Sequence, residues 1–333
     1  MGPDMHLRPL HLLSLLLALT CQAQTAGPNL LKTVADIPLP GASSRFDYAS
    51  LDPGAHRLYM NHMGAGEVVV FDTASRKVVA VLKGFPRCTG ILVVPSRHEV
   101  YVSAPGEGAV AVLDTTSLKE VARIKVGDFP DGIAFDPDDQ RVFVSDESGC
   151  QVAVLDARTH RLLSHIPMGG EVGNTQYDPV SRRIYSNVQT LNQLVVIDPK
   201  AMKVVDRIHL PGAQGNHGLL MDPEQHLAFV ACEGNSVLLV VDLGTRNVTA
   251  SFPVGRDPDV LAFDPGAGRL VVASESGPAT IFHEVGRTLR KAGSQDVGRN
   301  AHIVAIDPAT HLLYFPLMRV GNHPELRILA PFR

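Results

Sequence analysis

Residues 132–166 read GIAFDPDDQRVFVSDESGCQVAVLDARTHRLLSHI, and this stretch decides the fold. It holds four short apolar segments, Gly132–Phe135, Val142–Ser145, Val152–Leu155 and Leu162–Ile166, with turns rich in Asp, Gly and Ser between them. Such turn residues interrupt the chain too often for an amphipathic helix, and they are typical of short β-strands. The stretch therefore predicts a unit of four antiparallel strands.

The same unit recurs along the chain about every 42 residues. An Asp-Pro pair marks it at Asp52, Asp136, Asp178, Asp222, Asp264 and Asp307, and Val94-Pro95 is a degraded copy. The steps between these seven positions are 42, 42, 42, 44, 42 and 43 residues. A second marker keeps the same spacing at Asp72, Asp114, Asp156, Asp198 and Asp242. Seven units of this length predict an all-β fold, a seven-bladed β-propeller of four-stranded antiparallel blades.

The two ends of the repeat region indicate how the ring closes. The last unit supplies only three strands and ends with Leu326–Leu329. Residues Leu31–Leu39 resemble the fourth strands of other units, such as Lys77–Leu82. We therefore predict that this N-terminal strand completes the C-terminal blade, which removes the free sheet edges.

Composition excludes several classes of protein. The 333 residues carry 30 Lys and Arg against 34 Asp and Glu, and this near balance argues against a nucleic-acid partner, although it does not exclude a local basic patch. Apolar residues make up 45% of the chain, which excludes a disordered chain. Four cysteines are too few for a disulfide scaffold. We expect Cys88, Cys150 and Cys232 to be buried, inert thiols, and an intermolecular bond is the alternative.

The N-terminal segment has the features of a secretory signal. An apolar run from Leu10 to Thr20 is followed by Cys21-Gln-Ala23, which favours cleavage after Ala23. We predict a signal peptide over residues 1–23, a single propeller domain over 24–333, and a periplasmic or secreted location. In the alternative interpretation Cys21 is acylated and the chain is a lipoprotein. No later stretch is apolar enough to span a membrane, and we expect a monomer.

The units resemble a known repeat family. Arg141–Ser145, Val152–Asp156 and Leu162–Ile166 are similar to the YVTN β-propeller repeat, and the resemblance covers residues 30–333. It implies an exported or surface-associated seven-bladed propeller of the bacterial and archaeal kind. Members of that family bind diverse partners, so the resemblance implies a fold and not a function.

One position in each unit faces the axis of the predicted ring. The residues five before the aligned positions are Asp47, Thr89, Asp131, Gly173 with Asn174 next, His217, Asp259 and His302. We call the end of the channel that they surround the axial mouth. The turns between second and third strands should lie on the same face, and they add His62, Glu107, Asp146, Glu147, Glu233, Glu275 and His323. The sequence therefore predicts an acidic, His-rich rim.

This cluster permits two interpretations. As a ligand-binding set it comprises Asp47, Asp131, Asn174, His217, Asp259 and His302. Imidazole with carboxylate suits Zn, Mn, Fe or Cu, whereas carboxylate with carbonyl or amide oxygen suits Ca or Mg. Alternatively, Asp131 and Asp259 follow Pro in the same way and could hydrogen-bond backbone N–H groups of the adjacent loop.

Propellers of the gluconolactonase and senescence-marker group hold a divalent cation in this channel through carboxylate and Asn ligands. The resemblance implies a metal site of Asp47, Asn174 and Asp259, with His217 or His302 as the catalytic general base of a lactonase-like reaction. Streptogramin-lyase-like propellers are similar. The chain lacks the Asn-Gly-Leu context of the first group. We therefore expect a propeller that binds a small ligand or protein partner at the mouth without catalysis, with a metal-dependent hydrolase or lyase as the alternative.

Overall fold

A computed structural model of the chain describes residues 1–2 and 30–332. Except for its first two residues, the predicted signal segment 1–23 lies outside the described residues. The described chain forms seven antiparallel sheets of four strands each, arranged in a ring. This confirms the predicted fold class.

The strands follow the repeat. Blade 1 consists of β2 (Asp47–Asp52), β3 (Arg57–His62), β4 (Glu67–Asp72) and β5 (Lys77–Lys83). Blade 2 consists of β6 (Ile91–Val94), β7 (Glu99–Ala104), β8 (Ala109–Asp114) and β9 (Glu120–Lys125). Blade 3 consists of β10 (Pro130–Asp136), β11 (Arg141–Asp146), β12 (Gln151–Asp156) and β13 (Arg161–Pro167). Blades 4 and 5 are β14 (Val172–Asp178), β15 (Arg183–Val188), β16 (Gln193–Asp198) and β17 (Lys203–His209); and β18 (Asn216–Asp222), β19 (Leu227–Cys232), β20 (Val237–Asp242) and β21 (Asn247–Pro253). Blades 6 and 7 are β22 (Pro258–Asp264), β23 (Arg269–Ser274), β24 (Pro278–Val285) and β25 (Thr288–Asp296); and β26 (Ala305–Asp307), β27 (Leu312–Val320), β28 (His323–Pro331) and β1 (Leu31–Pro38).

The helical content of the described residues is limited to short 3₁₀ turns. They span Met63–Ala65, Pro95–Arg97, Pro105–Glu107, Glu233–Asn235 and Pro265–Ala267. Three of them occupy the connection between the second and third strands of a blade, and the other two follow an aligned position, Val94 or Asp264.

The repeated aspartates are explained by the turns that they close. Asp136 Oδ1 accepts a hydrogen bond from the backbone N of Asp138 at 2.9 Å, and Asp156 Oδ1 accepts one from Thr159 at 2.7 Å. An Asp side chain that bonds the backbone two or three residues ahead stabilises a tight turn. Both sequence markers therefore have a structural role, at the end of the ring opposite the mouth.

The core consists of layers between neighbouring blades rather than one central mass. Each apolar cluster joins two blades; for example, Phe143 and Val154 of blade 3 pack with Ile184 and Val195 of blade 4. The two middle strands of each blade are buried on both faces and are therefore rich in Val, Leu and Ile. This arrangement leaves the inner strands to line the axial channel.

The ring closes as the sequence predicts. β1 pairs antiparallel with β28, from Leu31 opposite Pro331 to Pro38 opposite Glu325. Leu31 is buried in the layer between blades 6 and 7. Leu39 is buried in the layer between blades 7 and 1. The N-terminal strand thus belongs to the last blade.

Two further expectations concern cysteines and membranes. Cys88 and Cys232 are buried free thiols, and burial raises the pKa of each to about 12. Cys150 is also free but only half-buried, so the expectation of burial was wrong for this residue. Within the described residues, none of the helical segments has the length and apolar character needed to cross a bilayer.

Candidate functional site

The side chains at the axial mouth are positioned by β-bulges in the innermost strands. The pairing of β10 with β11 skips Asp131, that of β18 with β19 skips His217, and that of β22 with β23 skips Asp259. A bulge leaves its extra residue unpaired and can redirect its side chain. The repeat of the bulge in several blades therefore directs these side chains to one axis.

His302 lies at the centre of this arrangement. Its side chain is fully buried, and its Nε2 is 3.8 Å from Asp47 Oδ1 and 3.9 Å from Asp259 Oδ2. Its other nitrogen, Nδ1, is 3.1 Å from the backbone oxygen of Asn300 and donates a proton to it, since a carbonyl can only accept. Nε2 itself has no hydrogen-bond partner, although it faces the two carboxylates.

His217 is held in a similar way from another blade. The amide nitrogen of Gln189 donates to Glu147 Oε1 at 2.9 Å, which turns the Gln189 oxygen toward His217 Nδ1 at 3.3 Å. His217 Nε2 then faces the axis, 3.7 Å from Asp131 Oδ2 and 3.7 Å from Asp259 Oδ1. Both imidazoles therefore present Nε2 to carboxylates.

Tyr48 crosses the channel beneath these groups. It belongs to blade 1, yet its hydroxyl donates to Asn174 Oδ1 of blade 4 at 2.7 Å and lies 3.2 Å from His217 Nε2 of blade 5. Tyr48 is the bulge residue between the paired Asp47 and Ala49, and its φ is +37°. Its ring lines both a mouth cavity of about 230 Å³ and a lower channel cavity of about 170 Å³.

The mouth cavity is strongly acidic. Its wall carries six carboxylates and one guanidinium: Asp47, Asp131, Glu147, Glu233, Asp259, Glu275 and Arg45. Arg45 is paired with Glu275 and lies 3.9 Å from Asp47. Among the described residues that line or surround this cavity, the two histidines are the only side chains besides Arg45 that can carry a positive charge.

Burial and crowding shift the pKa values of these groups. Burial raises the pKa of Asp131 to about 7 and that of Glu233 to about 7. Burial alone would lower the pKa of His217, but Asp259, Glu233 and Asp131 together raise it to about 9. The pKa of His302 is raised because Asp47 and Asp259 outweigh its burial. The cluster therefore has a strong affinity for positive charge, whether protons or a cation.

The alternative interpretation of Asp131 and Asp259 finds no support in the hydrogen bonds of the described residues. Neither carboxylate accepts a bond from a neighbouring backbone N–H, in contrast to Asp136 and Asp156, and Asp259 Oδ1 is buried without a hydrogen-bond partner. The Pro-Asp aspartates are thus not turn-closing residues like the repeat markers.

The predicted rim residues divide into two groups. Glu147, Glu233 and Glu275 do line the mouth cavity. His62 instead stacks on Phe46 with ring centroids 4.1 Å apart and is bonded to Ser44. Asp146 closes a loop by accepting from the backbone N of Asp128 and Phe129, Glu107 pairs with Arg123, and His323 lies 3.6 Å from Glu325. These four residues have structural partners, and the rim is less His-rich than predicted.

Two other predicted positions have local partners. Asn174 is hydrogen-bonded to Tyr48 and lines the lower channel cavity. The other two residues of the predicted metal site, Asp47 and Asp259, converge on His302 instead. Thr89 lies at the mouth wall, where its hydroxyl donates to the backbone oxygen of Pro130 at 2.9 Å.

Several residues at the site were not predicted from the sequence, and three of them have polar side chains. Tyr48 and Gln189 contact His217, and Arg45 supplies the guanidinium of the mouth. Tyr48 and Arg45 neighbour the aligned position Asp47, so a wider window around each aligned residue could have found them. Gln189 lies in a second-to-third-strand turn, where only charged residues and histidines were selected.

Fold and site together define a seven-bladed β-propeller with a carboxylate- and imidazole-lined axial mouth. No family model and no curated protein matches the chain. A chain of Kuenenia stuttgartiensis hydrazine synthase is similar, with a TM-score of 0.74, 17% identity, and coverage of 89% of this chain and 96% of that one. A chain in a crystal structure of the mitotic checkpoint complex is also similar, with a TM-score of 0.78, 11% identity, and coverage of 97% and 100%. At these identities the likeness shows the fold alone.

Proposed function

We propose that this chain is an exported, YVTN-like propeller that binds a divalent metal ion at its axial mouth and, through the ion, a small ligand with oxygen donors. The single observation that carries the proposal is His302 Nε2, which is fully buried, has no partner and faces two carboxylates. A buried polar atom without a partner is costly, and a cation would satisfy it.

The donor set fits a transition metal. One ligand atom each from Asp47, Asp259 and His302 lies within 4.8 Å of the others, the largest separation that ligands about 2.0–2.4 Å from a common ion can have. The bond from His302 Nδ1 to Asn300 is the outer contact that metal-binding imidazoles commonly make. An imidazole with two carboxylates favours Zn, Mn or Fe over Ca or Mg.

The rest of the proposal rests on shape and on the N-terminal segment. The mouth cavity of about 230 Å³ has room for a small molecule beside the three ligands. The sequence pattern of residues 1–23 supports export, and N-terminal sequencing of the exported protein should then begin at Gln24.

Metal titration of a His302→Ala variant tests the proposal. Loss of an outer-shell partner already weakens metal binding by about 10–100-fold, so loss of a direct ligand should weaken Zn²⁺ or Mn²⁺ binding by at least about 100-fold in calorimetry. His311→Ala is the matched control. His311 lies in the loop that joins the first two strands of blade 7, away from the mouth, and its Nδ1 is 2.6 Å from Asp264 Oδ2. Absence of binding in the wild-type protein, or equal binding in both variants, would contradict the proposal.

A metal-dependent hydrolase remains the second candidate because of Asp131 and Glu233. Burial brings the pKa of each to about 7, which is suited to proton transfer at neutral pH. A bound metal would supply a polarised carbonyl or a water of lowered pKa. With His302 as a ligand, the transfer of the proton falls to Asp131 or Glu233.

Turnover of lactones and simple esters by the metal-loaded protein tests this candidate. Asp131→Asn should then lower kcat by about 10²–10⁴-fold without loss of the metal. If the metal-loaded wild-type protein leaves every lactone and ester unchanged, the mouth binds its ligand without this chemistry.

A further inference from the structure

The two oxygens of Asp259 face two different imidazoles. Oδ1 is 3.7 Å from His217 Nε2, whereas Oδ2 is 3.9 Å from His302 Nε2. Asp259 consequently belongs to two ligand clusters, one with Asp47 and His302 and another with His217 and Glu233. We propose that His217, Glu233 and Asp259 form a second divalent-cation site, and that Asp259 bridges the two ions. This inference rests on the proposed function for the first ion only.

An unpartnered atom supports the second site independently of the first. Asp259 is 4% exposed, and its Oδ1, the oxygen that faces His217, has no hydrogen-bond partner. An ion held by the first cluster would contact the other oxygen and would leave Oδ1 isolated. A carboxylate oxygen buried in this way requires a donor or a cation.

The orientation of His217 also fits a ligand. Gln189 accepts the Nδ1 proton of His217, as Asn300 accepts that of His302, so both rings present Nε2 to Asp259. Glu147 in turn fixes the Gln189 amide. Such outer contacts set the tautomer and direction of metal-binding histidines. The Tyr48 oxygen, 3.2 Å from His217 Nε2, is a further neutral oxygen on the same side.

The acidity of the mouth suits a second cation. Four carboxylates surround the two imidazoles: Asp47, Asp131, Glu233 and Asp259. Among the described residues, the only lysine or arginine contact to these four is the distant one of Arg45 with Asp47. Two divalent cations would replace the protons that these groups otherwise hold, and carboxylate-bridged pairs of ions lie about 3.5–4 Å apart.

Mn²⁺ binding to the purified full chain tests the inference, with elemental analysis after equilibrium dialysis and electron paramagnetic resonance of the loaded protein. The wild-type protein should bind about two ions and show the exchange-coupled spectrum of a Mn²⁺ pair. Both His217→Ala and the milder Glu233→Gln should bind about one ion with the spectrum of isolated Mn²⁺. Glu224→Gln, an exposed acid outside the mouth, is the matched control and should bind as the wild type does.

The outcomes separate the two proposals. One isolated ion in the wild type, unchanged in His217→Ala and Glu233→Gln but lost in His302→Ala, would overturn the second site and leave the first. No ion in any variant would overturn both. Thermal unfolding of each variant identifies any loss of ions that follows from loss of the fold.

Discussion

Tyr48 occupies the centre of the channel in a backbone conformation that is uncommon for tyrosine. Its φ of +37° places it outside the usual regions for residues with a Cβ, and such positions are retained where the surroundings fix them. Here the bulge turns the ring across the channel to Asn174 and His217. The sequence could not reveal this, because a positive φ at a tyrosine leaves no compositional signal of the kind that glycine gives.

The Tyr48 hydroxyl should contribute measurably to stability. The pKa of Tyr48 lies well above its ordinary value, because of burial first and then Asp131 and Asp259, so the hydroxyl is a neutral donor. Tyr48→Phe leaves the buried Asn174 Oδ1 without a partner and should lower the free energy of unfolding by about 1–3 kcal/mol in urea titrations. In the control Tyr177→Phe, water can replace the contact with exposed Asp138, and the loss should be smaller. Equal losses would contradict the assigned role.

Other residues of the site were predictable because the repeat register is also a structural register. Asp131, His217 and Asp259 occupy the same aligned position, and that position is a bulge in each of their blades. The sequence therefore located them correctly without showing that the bulge was there. Their convergence is a property of geometry; their roles as ligands remain predictions.

At the scale of strands and turns, the prediction was weaker. The connection between second and third strands was treated as one kind of turn, so that all of its charged residues were assigned to the mouth. In the structure Glu147 and Glu233 face the cavity, whereas Asp146 faces the loop behind it. Direction alternates between successive residues, and a shift of one residue reverses it. The composition of a turn does not by itself determine which of two successive residues faces the cavity.

Contacts between blades also predict a pH dependence. Glu284 of β24 lies beside Asp222 of β18, and each has a buried oxygen without a hydrogen-bond partner. Burial first, and then the neighbouring Asp222 carboxyl, raise the pKa of Glu284 to about 8. Because the folded chain holds this proton more tightly than the unfolded chain, the contribution to stability is full below about pH 4.5 and is lost as the pH rises through about 8.

Glu284→Gln should remove this dependence. At pH 9 the variant should be more stable than the wild type by about 1–2 kcal/mol, after allowance for solvent screening, and the difference should disappear or reverse at pH 5. Urea unfolding at both pH values measures it. Glu171→Gln changes an exposed acid that does not contribute to this pKa shift, and it should change stability by less than about 0.5 kcal/mol. A constant difference between wild type and Glu284→Gln at the two pH values would show that the pair does not share a proton.

At the scale of the whole molecule, the fold was the most predictable feature. The turn aspartates recur at nearly constant spacing along seven copies of one unit. The last unit lacks a fourth strand, and Leu31–Leu39 has the sequence pattern of that strand and supplies it. Repetition makes the prediction secure because each blade buries its faces only against its neighbours. A ring built in this way leaves no blade face uncovered, so its stability depends on the strand that closes the last blade without a covalent link.

Removal of residues 30–39 should therefore destabilise the entire ring. Leu31 and Leu39 are buried in the layers on either side of blade 7, and burial of each large apolar side chain stabilises by roughly 1.5–3 kcal/mol. Gln295 of blade 6 also accepts from the backbone N of Leu30 and Leu31, both at 2.8 Å. Truncation should lower the urea midpoint of a single cooperative unfolding transition. The control is the double variant Lys32→Ala and Val34→Ala, which changes two exposed side chains but keeps the pairing of β1 with β28, and it should leave the midpoint nearly unchanged. A truncated chain with an unaltered midpoint would mean that the blade layers hold the ring without its closing strand.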